Sequence, residues 1–143
     1  MNTKVIVAAV DGSDSALEAV RAADQLAGAT GRKLQLLYVH PDYATSDTGF
    51  EILGKERVER LKQQSARAAF DSAHALLGKR SPPPGEILLW GDPAEEIISY
   101  MENNPGVHLV MGRRGLSKLK SLVLGSVSEK VVRHAPGLVT VTG

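Results

Sequence analysis

Short apolar runs alternate along this chain with longer stretches in which apolar residues recur at helical spacing. Residues 5–10, VIVAAV, form a continuous run rich in β-branched side chains, ended by Asp11-Gly12. Such a run predicts a strand buried on both faces, as in a parallel sheet. Residues 34–39 predict a second strand, ended at His40-Pro41 because proline has no N–H to donate and restricts the residue before it. Residues 86–90, 107–111 and 138–142 supply a third, fourth and fifth.

Between them the period changes. Residues 13–30 place Leu17, Val20, Ala23 and Ala27 on one helical face. Ser15 with Glu18 fits a capping box there, and Gly31 closes the helix. After a polar loop over 42–50, residues 51–77 predict a long helix with Val58, Leu61, Ala69, Phe70, Ala73 and Leu77 toward the sheet and Gly78 as its stop. Asp92-Pro93-Ala94-Glu95 states a helix start: an Asp cap, Pro at the first helical position and Glu three residues after the cap. Asn103-Asn104-Pro105-Gly106 breaks it, and residues 126–134 form a last, short helix. The order is βαβαβαβαβ, which implies a parallel sheet with right-handed crossovers in an α/β protein. The proline run at 82–84 is too short to link two domains, so residues 1–143 are expected to form one.

Composition narrows the classes. Of 143 residues, 43% are hydrophobic and 23% charged, which is globular usage. A formal net charge of +1 makes no global case for nucleic acid or an anionic membrane, so charge must act locally. No cysteine is present, which removes disulfides, thiolate chemistry and cysteine-bound zinc. The apolar run at 5–10 is too short for a signal peptide, and a span needs about 20 apolar residues; a cytoplasmic protein without membrane insertion is expected. His40, His74, His108 and His134 fall on different elements with no i,i+4 pair, which argues against a histidine metal site. No G-x-S-x-G elbow exists. Glu95 and Glu96 read as first-turn acids complementing a helix dipole, residues 55–67 as a solvated helix face, and Trp90 as core or edge packing.

Candidate chemistry concentrates in residues 112–128, GRRGLSKLKSLVLGSVS. Gly112 directly follows an apolar strand and so lies at the C-terminal edge of the sheet, where open α/β sheets bind ligands. Ser126 with Glu129 forms a capping-box pattern, which puts Gly125-Ser126 at a helix N-terminus, where unpaired N–H groups and the dipole favour an anion. Because the dipole alone gives only about 0.3–1 kcal/mol, several donors must act together. Arg113, Arg114, Lys118 and Lys120 lie in this stretch, and no acidic residue does. Each feature taken singly reads as a turn, a cap or a solvated face; their conjunction points to phosphate binding.

The spacing Gly112-x2-Gly115-x9-Gly125-Ser126 resembles the nucleotide-binding signature of the universal stress protein family. VDGSDSALEAV is similar to that family's first strand and helix, and GDPAEEI to the start of its third helix. The resemblance implies a Rossmann-like, adenine nucleotide α-hydrolase-like sheet of order 3-2-1-4-5 with helices on both faces, and ATP in the crevice between strands 1 and 4, with Mg2+ or Mn2+. It implies that Asp11 holds the ribose or a phosphate-bound metal, that Val10 and Val39 flank adenine, and that Val39 recognises the base through its backbone. Gly112, Gly115, Gly125, Ser126 and Val127 would give donors or close approach to the phosphates, with Arg114 beside them. Asp11 reads equally as a strand-end residue capping the first helix, and Val10 and Val39 as core. Two departures stand out: His108 replaces an acidic residue at the start of the fourth strand, and Gly137 precedes the last strand where proline is common. That strand, 138–142, would pair a homodimer. The implied function is a nucleotide-dependent regulatory module of the stress response, with an unidentified protein partner. The alternatives are a slow ATPase or phosphotransferase, for which no general base is evident, and a dimeric interaction module that binds no nucleotide.

Overall fold

The computed structural model describes residues 5–40, 54–113 and 124–143. The elements in chain order are β1 (Val5–Ala9), α1 (Asp14–Thr30), β2 (Lys33–His40), α2 (Lys55–Leu77), β3 (Gly85–Trp90), α3 (Pro93–Asn103), β4 (Val107–Gly112), α4 (Ser126–His134) and β5 (Leu138–Thr142). The strands form one parallel sheet of order β3-β2-β1-β4-β5, as expected.

Side-chain alternation along the strands divides the core in two. Ile6, Ala8 and Val10, with Leu36, Tyr38 and Val110, pack under α1 and α2. Val7, Leu37, Leu109 and Met111 pack on the other face under α3 and α4. Ile6, Leu36, Leu37 and Leu109 are essentially removed from water, each contributing about 1.5–3 kcal/mol of burial. The inner face of α1 is mostly alanine, with Ala16, Ala19, Ala23 and Ala27 beside Val20. Small side chains let that helix sit close on β1 and β4.

The helix ends show which sequence signals operate. Asp92 caps α3 as expected, accepting from Glu95 N at 3.0 Å, with Pro93 in the first turn. Gly31, in the left-handed region at φ 70°, closes α1. The cap of α1 is Ser13, however, not Ser15. The chain is extended at Ser13, whose Oγ accepts from Ala16 N at 3.1 Å, and Ser15 is already helical. On α2, Ala66, Ala69, Phe70 and Ala73 are buried, but Leu61 is 45% exposed. Leu61 is off the helical phase of the stripe that Ala66, Ala69, Phe70 and Ala73 set. The expected helical residues 51–53 and the Val58 side chain lie outside the described residues.

Both sheet edges carry exposed apolar side chains: Leu88 and Trp90 on β3, Leu138 on β5. Trp90 packs at the edge, its ring stacked on His40 with centroids 4.2 Å apart. Arg67 of α2 clasps Glu86 of β3 with two nitrogens at 2.9 and 2.6 Å, and His74 joins at 2.8 Å. The Arg67 guanidinium holds the Glu86 carboxyl below the usual carboxylate range. Half-exposed as it is, this network fixes α2 over the edge strand more than it stabilises the fold.

Candidate functional site

In this strand order the connection from β1 leads to β2 on one side, while β4 leads to β5 on the other. The chain therefore diverges above the C-terminal ends of β1 and β4, and open parallel sheets take ligands at such a switch point. Residues from β1, β2, β4 and α4 border this crevice.

At the end of β1, Val10 donates its N–H to Leu37 O at 2.8 Å and buries its side chain under α1 and α2. Asp11 Oδ1 accepts from Ser13 N at 2.9 Å and from Ser13 Oγ at 2.5 Å. Of the two roles open to Asp11 on sequence, the one at the start of the helix is thus present. Ser13, buried and bonded in turn to Ala16, relays that carboxylate onto α1.

Val39 lies on β2 two residues beyond Leu37, the partner of the last β1 residue. In a parallel ladder, alternate residues turn their peptide groups to opposite neighbours. Leu37 O accepts from β1, and His40 O accepts from Gly91 beyond β3. The Val39 peptide groups accordingly point to the side on which β1 has ended. Its side chain packs with the α3 and α4 cluster, opposite that of Val10. The two side chains do not converge on one face, so any shared contact with a planar ring runs through the Val39 backbone.

Gly112 ends β4. A Cβ built on it would lie 2.8 Å from both the backbone carbon and oxygen of Ser15, inside any real contact distance. The first requirement for glycine here is the approach of α1. Its carbonyl accepts from Ser128 Oγ at 2.8 Å. Arg113 then donates its N–H to Thr142 O at 2.7 Å, and its carbonyl accepts from Gly125 N at 2.8 Å.

The start of α4 differs from the expected capping box. Gly125, extended at φ −65° and ψ 165°, is the cap residue; Ser126 is the first helical residue, and no side chain among the described residues caps the helix. Gly125 O accepts the first helical bond, from Glu129 N at 2.9 Å. The helix is instead moored from below, by Gly125 N on Arg113 O and by Ser128 Oγ on Gly112 O. Gly125 N is therefore committed internally and is not a free donor. The amides of Ser126, Val127 and Ser128 are the first-turn donors that helix geometry leaves unpaired, and no cap side chain among the described residues takes them. Ser128, only 3% exposed, was not singled out on sequence. Its signal there is faint: a serine two residues inside a predicted helix start. Arg114 and Gly115 lie outside the described residues.

Three adjacent uncapped amides at a helix N-terminus, reached across a sheet edge, suit a multiply charged oxyanion. Among the described residues no group of three metal-ligating side chains occurs. A divalent ion bound through one carboxylate and the phosphates of its ligand requires none, so the edge fits a nucleotide carrying its own metal, with the Asp11 carboxylate two residues past the end of β1. A cleft of about 530 Å³ opens at the opposite end of the sheet, lined by Asp24, Arg32, Arg80 and the prolines 82–84. It lies where the strands begin, and the C-terminal ends of α1 and α2 turn carbonyls toward it. Its volume does not make it the phosphate site.

The model of the universal stress protein family matches residues 2–143. A universal stress protein of Thermus aquaticus, encoded in the QAH/OAS sulfhydrylase 3′ region, is 39% identical over 136 residues, 93% of each chain. The solved structure of universal stress protein UspA from Lactobacillus plantarum superposes with a TM-score of 0.81 at 25% identity, covering 100% of this chain and 99% of that one. A universal stress protein solved in complex with cAMP gives a TM-score of 0.65 at 26% identity, covering 99% and 97%. With the sheet order and the glycine-serine turn on α4 already established, this chain belongs to the universal stress protein family.

Proposed function

We propose that the chain is a regulatory adenine-nucleotide-binding module that takes ATP, with Mg2+ or Mn2+, at the crevice between β1 and β4. The single observation that carries this is the first turn of α4, whose amides at Ser126, Val127 and Ser128 are taken by no cap side chain among the described residues and so suit an anion. The complex of a 26% identical relative with cAMP supports an adenine nucleotide as the ligand class. In this assignment Val39 meets the base through its peptide groups, Val10 borders it, and Asp11 lies nearest the ribose or the metal. Gly125 allows the phosphates close approach, and Arg114 and Gly115 complete the loop.

Binding is favoured over turnover. Asp11 Oδ1 is bonded to Ser13, an arrangement that fixes a turn rather than one that activates a water. We take β5, an edge strand carrying Thr140 and Thr142, as the surface that pairs with a second copy, and place the protein in the cytoplasm as a stress-response module acting on a protein partner.

Gly125→Val tests the site. The backbone of Gly125 lies in an extended region open to any residue, so the variant should fold with an unchanged thermal midpoint. Its side chain would stand where phosphate must approach, and loss of even one charge-assisted hydrogen bond costs about tenfold or more in affinity. Titration calorimetry with Mg-ATP should therefore show binding to the parent chain and at least a tenfold loss in the variant. No heat of binding in the parent, or equal affinity in the two, overturns the assignment.

A further inference from the structure

We propose that Arg113 is a positioning residue that joins the anion-binding turn to the C-terminal strand, so that occupancy of the turn slows the opening of β5. The inference rests on the nucleotide site proposed above and extends it to a part of the sheet that borders no ligand.

Arg113 meets three elements at once. Its N–H holds Thr142 O, at the end of β5, and its carbonyl holds Gly125 N, at the cap of α4. Its side chain folds the other way: Nη2 donates to Gly143 O at 3.2 Å. A Cβ on Gly143 would lie 3.1 Å from the Arg113 Cβ, so the stem is packed against that residue. Arg113 Nε and Thr142 Oγ1 are both buried without a hydrogen-bond partner. Burying such donors is unfavourable, and a cation serving only as a solvated charge would keep Nε in water. The side chain is held for its contact with the end of β5.

One residue therefore ties the end of β4 to the cap of α4, through Arg113 O and Gly125 N, and holds the end of β5 through Thr142 O. The next mooring bond, Ser128 Oγ to Gly112 O, ties the same helix to the preceding β4 residue. An anion that pins the Ser126–Ser128 amides holds α4 against Arg113 O, and Arg113 in turn holds Thr142 and Gly143. Opening of β5 then requires breaking contacts that the ligand has tightened. Within the sheet β5 is an edge that pairs with β4 alone; Val139 and Val141 also pack in the cluster under α3 and α4, and Arg113 adds the hydrogen-bonded route from the cap of α4 to the end of β5.

Hydrogen exchange resolved by segment, with and without Mg-ATP, tests this on the full chain. In the parent, ATP should slow exchange over 126–129 and also over 138–143, the latter by about three- to tenfold, as expected for tightening one or two hydrogen bonds. In Arg113→Ala, protection over 126–129 should persist while the response of 138–143 falls below about twofold. Arg113→Gln keeps the stem packed on Gly143 and a donor near the Nε position, without the charge, and should restore the β5 response. An undiminished β5 response in Arg113→Ala, or no β5 response in a parent whose α4 is protected, overturns the inference alone. Failure of Arg113→Gln to restore the response also overturns it, since the charge would then act on the ligand directly. If Arg113→Ala does not fold, the response of Arg113→Gln decides: its presence supports the coupling and its loss refutes it. No calorimetric binding of ATP to the parent overturns the nucleotide site and this inference together.

Discussion

Gly112→Ala separates a requirement of the fold from a requirement of the ligand. The added Cβ would stand 2.8 Å from Ser15 C and Ser15 O, whereas ordinary contact begins at 3.4 Å. The backbone of α1 must therefore retreat by about 0.6 Å at its first turn. Ser15 Oγ also stands in the way and can rotate aside, but the Ser15 main chain cannot. Ala16, Ala19 and Val20, all buried, move with it and loosen their contact with β1 and β4. Overpacking of this kind costs about 1–3 kcal/mol, and a rigid helix backbone puts the cost near the middle of that range, about 2 kcal/mol. For a chain of this size each kcal/mol moves the melting temperature by about 2–4 °C, so a fall of about 4–8 °C is expected. The assay is thermal unfolding followed by circular dichroism in nucleotide-free buffer, so that no binding term enters. Gly125→Ala is the control: its extended backbone accepts a side chain, and it should melt with the parent. An unchanged melting temperature for Gly112→Ala would refute the steric account and leave phosphate approach as the reason for glycine at that position.

Two further outcomes follow from groups away from the crevice. His108 lies half-buried with Nε2 2.7 Å from Thr140 Oγ1; burial, and then the nearby Arg32 charge, lower its pKa from 6.5. The unfolded chain binds the proton more tightly, so the His108 contribution is complete above pH 6.5 and is lost as pH falls through the native pKa; His108→Asn should flatten the difference between urea unfolding curves at about pH 7 and 5, and an identical pH dependence would count against it. Asp92→Ala removes the cap on Glu95 N at about 1 kcal/mol, lowering the melting temperature by about 2–4 °C with Mg-ATP affinity unchanged; a scan matching the parent would show that solvent satisfies Glu95 N equally well.

The sheet was legible because its signals are local and redundant. Each strand is a short apolar run with a breaker behind it, and Asp92-Pro93 marks a helix start in two residues. The caps that sequence misplaced had two candidates each. Ser13 and Ser15 both precede an apolar stripe, and only the extended backbone at Ser13, held by Asp11, settles which one turns its oxygen inward. At α4 the Ser126/Glu129 pattern is equally good on paper, yet the helix is moored by bonds to β4 that link residues 12 and 16 apart. Contacts of that kind leave no trace in a periodicity. The same holds for Leu61, whose burial depended on the phase of a stripe fixed further along by Ala66, Ala69 and Phe70.

The glycine spacing that identifies the family is thus not one requirement repeated. Gly112 is demanded by α1 before any ligand arrives, since its missing side chain is replaced by the Ser15 backbone. Gly125 is not demanded by its conformation, because φ −65° and ψ 165° suit any residue, and its amide is spent on Arg113. A glycine that neither the backbone angle nor a donor role explains is best explained by what must come close to it. A chain that kept the fold but abandoned the nucleotide would hold Gly112 and release Gly125. This chain holds both, together with a helix start whose remaining amides no cap side chain among the described residues takes, and that combination is what a fold-only account leaves without a cause.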